Sequence, residues 1–303
     1  MTIYGNKMIN LKQTLKYFEY QICKVRSLVV SDSYFLSARL KRICGYNPDI
    51  RNPVTLNEKI CHRLVYNRDP LFTALADKLA VRKHISSRTN KVALVPLIGV
   101  YDDIREIEPC VLPNKFVLKC NHDSGSAIIC NDKETFDFPM AMKKITHCLR
   151  KNMYYKTREW QYKNIKPVIL CEKYIDIYTS QQRKITPEML RIHCFHGTVG
   201  FIEADYSDEK GNEYINVFDS FWNLQPFNME YPNTPYLVPK PRLLHQAVLA
   251  SQELSEGIGY CRVDLMVLEQ KIYFSEITLS PRRGKLIISP VQWDTTLGRM
   301  WTL

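Results

Sequence analysis

The sequence predicts an α+β fold, and three observations predict it. Its β-branched and aromatic runs come as neighbours joined by short polar turns, as in FVLKC with SAIIC, RIHCFHG with VGFIEAD, and the runs at 260–268 and 271–279, the pattern of antiparallel hairpins. Its helical periodicities stand in separate stretches. Its 303 residues, 45% of them hydrophobic, can bury a large core in two or three lobes. The expected division is a helical amino-terminal region with a first strand at 1–110, a small subdomain at 111–173 and a core at 174–303.

Charge narrows the partners. The 42 basic against 31 acidic side chains give +11, which favours a polyanion such as nucleotide, nucleic acid, anionic glycan or a membrane surface. Ten cysteines sit singly in apolar contexts such as Cys120, Cys130, Cys171 and Cys194, without CxxC, so they read as structural thiols of a reducing cytosol. No run approaches the ~20 apolar residues of a spanning helix. A soluble, cytoplasmic protein is expected, with peripheral contact to membrane-bound machinery through the basic surface left open.

In chain order, helices are expected at 11–25 and 33–43, the second ending at GYNP. Asn57 reads as the N-cap of LNEKICHRLVYNR, and Asp69-Pro70 opens one continuous helix, LFTALADKLAVRKHISS, with Leu71, Leu75, Leu79 and Ala80 toward the core. Asp77 and Lys78 fall near its middle, on a solvated face or as ligands. Residues 92–103 read as one strand. Between FVLKC and SAIIC, the loop NHDSG sets Gly125 between Ser124 and Ser126. Backbone amides of such a turn bind anions, and Lys119 would add a point charge; the same loop also reads as a plain hairpin turn. Residues 138–153 are an amphipathic helix. The following YYKTREWQYKNIKP mixes aromatic and basic residues without periodicity; it is short and alone, and no nucleic acid is expected. Residues 167–175 form an apolar strand ending at Glu172-Lys173-Tyr174. The hairpin of 191–205 turns at His196-Gly197, and its His193 and His196 lack the i, i+4 spacing of a zinc pair. Residues 208–233 read as a long variable excursion. A helix in RLLHQAVLASQELSEG, closed by Gly257, leads into the last hairpin.

That hairpin carries the acidic centre. Alternation puts Val263, Leu265, Val267, Tyr273, Ile277 and Leu279 on one face and Arg262, Asp264, Met266, Phe274, Glu276 and Thr278 on the other. With the turn centred on Gln270, Asp264 opposes Glu276 and Arg262 opposes Thr278. Like charges in opposition are destabilising, so a cation is expected there. Hard oxygen ligands suit magnesium better than zinc. The alternative is a solvated strand face on which Arg262 pairs with Asp264.

Lys78 in the second helix, Lys119 before a small-residue loop, EKYI at a strand end and the Arg-x-Asp and Glu-x-Thr hairpin occur in series. That series resembles the ATP-grasp superfamily. LNEKI, ADKLAVRKHI, FVLKCNHDSGSAIIC, REWQYKNIKP, EKYI, CFHG, RVDL and EIT are similar to its TupA-like branch, associated with teichuronopeptide and capsular polysaccharide synthesis, over residues 57–301. The resemblance implies an ATP-grasp fold with ATP between two antiparallel sheets. Lys78 and Lys119 would meet the phosphates under the loop of Ser124, Gly125 and Ser126. The strand end of Glu172, Lys173, Tyr174 and Ile175 would hold adenine, Glu172 accepting from its amino group. Asp264 and Glu276 match the magnesium ligands, Thr278 stands where many relatives have a metal-binding Asn, Arg262 matches the arginine of the transferring phosphate, and Arg191 replaces a lysine near the phosphates.

Two departures stand out. Met189 replaces the acidic residue expected two positions before Arg191, and the loop after EIT carries Arg282 and Arg283, which are either an acidic acceptor's ligands or solvated surface. The implied activity is an ATP-dependent carboxylate-amine ligase of bacterial surface-polysaccharide biosynthesis. It would join an amino acid or other amine to a uronic acid carried as sugar, nucleotide sugar or glycan. The alternatives are a phosphotransferase or glycosyltransferase acting on such a precursor. A non-enzymatic polyanion-binding module would tolerate loss of Asp264 and Glu276.

Overall fold

Capping side chains set the helix limits in a computed structural model that describes residues 17–176, 186–208 and 210–303. Helix α1 occupies 17–29, and the expectation for 11–16 lies outside the described residues. Helix α2 (Asp32–Cys44) starts where the Ser31 side chain accepts from Tyr34 N–H and stops at Gly45, whose φ of 73° is left-handed. Helix α3 (Leu56–Tyr66) is capped by Thr55, not by Asn57. The Thr55 hydroxyl accepts from Glu58 N–H while Glu58 accepts from Thr55 N–H, a reciprocal pair that satisfies two end donors at once. Asn57 lies inside the helix, buried, where it clamps Leu286 through both backbone groups.

The helix expected from Pro70 onward is two helices, α4 (Pro70–Ala76) and α5 (Val81–Arg88). Asp77 breaks it, because its carboxylate accepts from Leu79 N–H at 2.8 Å and offers the backbone an alternative to the helix ladder. Lys78 therefore sits in a tight break. Phe72, Leu75 and Ala76 face the core, whereas Leu71 and Ala80 are exposed.

Residues 92–103 likewise divide, into β1 (Ala93–Leu94) and β2 (Leu97–Tyr101), which belong to different sheets. Pro96 between them has no N–H to continue a ladder. The small sheet takes β2, β3 (Phe116–Cys120), β4 (Ile128–Cys130) and β5 (Ile169–Lys173) in the order β2-β5-β3-β4, all antiparallel. Helix α6 (Phe138–Leu149) packs on β3 and ends earlier than expected. The chain restarts as α7 (Met153–Thr157), where Asn152 caps Tyr154 N–H.

The large sheet is built from β6 (Met189–Phe195), β7 (Thr198–Ser207), β8 (Glu213–Phe218), β10 (Tyr260–Val267) and β11 (Ile272–Thr278), with β1 at its edge, in the order β1-β11-β10-β6-β7-β8. The expected excursion at 208–233 thus contributes an edge strand, β8, and a short strand, β9 (Asn228–Met229), paired with β12 (Ile288–Ser289). Helix α8 (Leu244–Ser255) covers β6, β7 and β10. Leu190, Ile192, Val263 and Leu265 have no exposed surface, and each contributes about 1.5–3 kcal/mol by burial. Helix α9 (Gln292–Arg299) closes the chain beside α3.

The last hairpin has the expected register at its charged end, Arg262 opposite Thr278 and Asp264 opposite Glu276. Beyond Asp264 the register shifts, so Leu265 opposes Phe274. That bulge exchanges two faces. Phe274 is buried in the core although alternation put it on the charged face, and Tyr273, expected in the core, is only half-buried.

Candidate active site

Register alone carries the charges into one row. Glu276 on β11 opposes Asp264 on β10, which opposes Arg191 on β6, which opposes Glu203 on β7. A second row runs Thr278, Arg262 and His193. Opposed residues share a face, so four strands present one charged ladder.

Arg262 supplies the cation nearest to Asp264. Its Nε and Nη2 donate to Asp264 Oδ1 and Oδ2 at 2.7 and 2.6 Å, in the fork geometry of a carboxylate pair, with both residues buried. Thr278 Oγ1 donates to Glu276 Oε1 at 3.0 Å, and Arg262 Nη2 lies 3.7 Å from the same oxygen. Burial pushes the Asp264 carboxyl up to about 6 despite Arg262. Burial would also raise Glu276, but Lys78, Arg262, the Thr278 hydroxyl and Lys119 hold it below the usual glutamate value. One guanidinium thus leaves Asp264 short of compensating charge. Two opposed carboxylates and a hydroxyl form a hard-oxygen donor set that fits magnesium, which takes one or two carboxylates and completes its shell with water and phosphate. Among the described residues there is no cluster of three or more His, Cys, Asp or Glu side chains of the kind that would hold a metal by protein ligands alone.

Lys78, in the α4–α5 break, and Lys119, on β3, act on Glu276 by charge but are not among the residues that line the cavity described below. Lys78 N–H donates to Asn121 O at 3.1 Å, its ammonium donates to Asp123 O, and Asn121 Nδ2 donates to Asp77 Oδ1 at 2.9 Å, so the helix break is pinned to the β3–β4 loop. Burial lowers the Lys78 pKa, with Glu276 the largest opposing charge. Within that loop, Gly125 has a φ of 96°, and Ser126 is buried with its hydroxyl accepting from Cys120 N–H and donating to Asp123 Oδ1 at 2.5 Å. Ser126 therefore shapes the loop, while Ser124 faces outward into the cavity. Lys119 and Arg82 both pair with buried Glu172, at 2.6 and 3.6 Å. Lys173 and Tyr174 line a separate pocket of about 470 Å³ with Lys115, whose ammonium stands 5.7 Å from the Tyr174 ring centroid.

A cavity of about 720 Å³ gathers Ser124, Arg191, Arg262, Asp264, Glu276, Thr278, Arg282 and Arg283. It also brings in groups not singled out from sequence, Glu159, Tyr162, Glu230 and Lys285. Asp205 was missed as well. It opposes Met189, pairs with Arg191 Nη2 at 2.5 Å, and leaves Oδ1 buried without a hydrogen bond among the described residues. It thus brings a carboxylate to the position where Met189 lacks one. Counting from the His196-Gly197 turn would have set Met189 opposite Ala204; a register shift between His193 and Cys194 brings Asp205 there instead.

A family model described as TupA-like ATPgrasp matches residues 58–302. No curated protein matches the sequence. Similar solved structures include D-alanine–D-alanine ligase from Bacillus anthracis complexed with ATP, at 16% identity and TM-score 0.43 over 82% of each chain. D-cycloserine synthetase DcsG is similar at 13% identity and TM-score 0.38, over 82% of this chain and 77% of that one. ATP-grasp ligase PsnB, complexed with a phosphomimetic variant of its minimal precursor, Mg and ADP, gives 11% identity and TM-score 0.37 over 70% of this chain. The chain spans about half the length of the PsnB chain, 52%.

Proposed function

Because the chain belongs to the TupA-like ATP-grasp family, we propose that it is an ATP-dependent carboxylate-amine ligase. The substrates in this reading are a uronic acid or related sugar carboxylate and an amino acid or other amine, and the setting is bacterial surface-polysaccharide biosynthesis in the cytoplasm. One observation supports it above the others: Asp264 and Glu276 meet across one hairpin, with Arg262 in the adjacent row forked onto Asp264 and with Lys78 and Lys119 acting on Glu276.

The chemistry follows from a poor leaving group. A carboxylate resists an amine because the departing oxygen is a strong base. Phosphorylation by the γ-phosphate of ATP makes that oxygen part of an acyl phosphate and releases ADP. The amine then attacks the carbonyl, the amide forms, and phosphate leaves with the former carboxylate oxygen. Asp264 and Glu276, with Thr278, would hold magnesium, which supplies positive charge to the phosphate oxygens. Lys78 and Lys119 would neutralise the triphosphate; to reach it, Lys119 must exchange its pair with Glu172. Arg262 would follow the charge on the transferring group once Asp264 takes the metal, and Arg191 would add charge beside it. The strand end at Glu172, Lys173, Tyr174 and Ile175 would read adenine, and the loop of Ser124, Gly125 and Ser126 would exclude water.

The test is isotope transfer. With 18O in the substrate carboxylate, one labelled oxygen should appear in released phosphate, and hydroxylamine in place of the amine should yield a hydroxamate. Label retained on a stable phosphorylated sugar would replace the ligase by a phosphotransferase.

A further inference from the structure

Past the metal-facing end, the cavity runs along the loop after β11. Ser280 and Pro281 are buried there, and Arg282, Arg283 and Gly284 then take φ of 47°, 63° and 68°. Two successive non-glycine residues in this region are strained and persist only where the surroundings enforce them. Here the enforcement is visible. Asn57 clamps Leu286 by two hydrogen bonds of 3.0 and 2.7 Å, and Arg39 donates to Thr157 O and Arg283 O.

The enforced turn places both guanidiniums on the cavity wall, each beside a carboxylate. Arg283 Nε stands 3.3 Å from Glu159 Oε2, and Arg282 pairs with Glu230. Lys285, half-buried on the same wall, makes no hydrogen bond or ion pair among the described residues. Burial, Arg39 and Arg283 pull its ammonium below the usual lysine value. Among the residues lining this wall, Arg282, Arg283 and Lys285 stand against Glu159 and Glu230, and Arg39 adds a fourth cation behind it through its bond to Arg283 O. A phosphate monoester or a diphosphate diester carries about two negative charges and several acceptor oxygens, enough to engage Lys285 and a guanidinium together.

We propose that this end of the cavity binds a phosphate or diphosphate group carried by the acceptor, with Lys285 and Arg282 on its oxygens, so that the acceptor is a phosphorylated sugar and not a free one. The inference rests on the ligase reading for the identity of the neighbouring site as that of ATP, and not on the amide chemistry. A nucleoside diphosphate and a lipid diphosphate share the recognised group.

The experiment titrates the full chain, saturated with AMPPNP and Mg²⁺, with pyrophosphate, UDP and geranyl diphosphate by calorimetry. At least one diphosphate should bind beside AMPPNP. Lys285→Gln should raise its Kd tenfold or more with the AMPPNP Kd unchanged, and Glu230→Gln, which frees Arg282, should lower it. Tighter binding of UDP assigns a nucleotide-linked acceptor, tighter binding of geranyl diphosphate a lipid-linked one, and equal binding of all three the diphosphate alone. No saturable binding, displacement of AMPPNP by the probes, or a Kd indifferent to both substitutions would overturn the proposal. If AMPPNP itself fails to bind, the ligase reading falls, and the same three probes with the same two variants decide the diphosphate site without it.

Discussion

Replacing Arg262 by Met keeps most of the side-chain volume and removes the charge. In the structure Asp264 is buried and takes both its short hydrogen bonds, 2.7 and 2.6 Å, from this guanidinium. Removing one partner of a buried pair costs about 3–5 kcal/mol, because the other charge is left uncompensated. For a chain of this size each kcal/mol moves the midpoint by about 2 °C, so Arg262→Met should melt about 6–10 °C below the parent in EDTA. Magnesium with AMPPNP would bring a second source of positive charge to Asp264 and should at least halve that gap. Circular dichroism melts of both proteins, with and without magnesium nucleotide, measure all four values. A gap under about 2 °C in EDTA would mean Asp264 does not depend on Arg262. A gap that magnesium leaves unchanged would mean that no cation binds at Asp264. Independently, kcat should fall by about 10²–10³ while ATP affinity holds, as expected for a group acting in the transition state.

Gly284→Ala should destabilise the chain by about 2–4 kcal/mol, since the residue has a φ of 68° and an added Cβ would come within 2.7 Å of Cys61 Sγ and 2.9 Å of Asn57 O. An unchanged denaturation midpoint would contradict that close approach. Glu203 predicts a pH dependence. Burial opposes its ionisation, but the His193 Nε2 hydrogen bond at 2.5 Å, with Arg262 and Arg191, holds it at about 2, against an unperturbed 4.5. The unfolded chain therefore binds more protons between these values, and stability present above pH 4.5 is lost as pH falls, by up to about 3 kcal/mol. Glu203→Gln should lose that component of the slope between pH 5 and 3; identical slopes in the two proteins would remove Glu203 from acid unfolding.

The sequence made the charged end of the last hairpin readable because pleat alternation and a short turn leave little freedom over the four residues Arg262, Asp264, Glu276 and Thr278. It did not reveal the bulge just beyond, where one extra residue exchanges the roles of Tyr273 and Phe274. The break at Asp77 had a signal in the residue itself, since Asp prefers to cap a helix from its end. Thr55 and Glu58 had theirs in the capping-box spacing. Glu159 and Tyr162 were beyond reach. They come from the aperiodic stretch around α7, and tertiary packing alone brings them opposite the loop after β11. Lys285 looked like any loop lysine until the enforced backbone of Arg282 and Arg283 gave it a wall to face.

The break between β1 and β2 at Val95-Pro96 has a mechanical meaning. The chain passes from the large sheet to the small one there, returns after α6 to bury Tyr154 and Trp160 in the large core, enters the small sheet again at β5, and leaves it for β6. Among the described residues, three spans of backbone therefore join the two bodies; residues 177–185, between β5 and β6, lie outside them. One tether makes a ball joint and two define a hinge line; each further span off that line removes a freedom of rotation. The small sheet is thus tied to the large body at three separate described places.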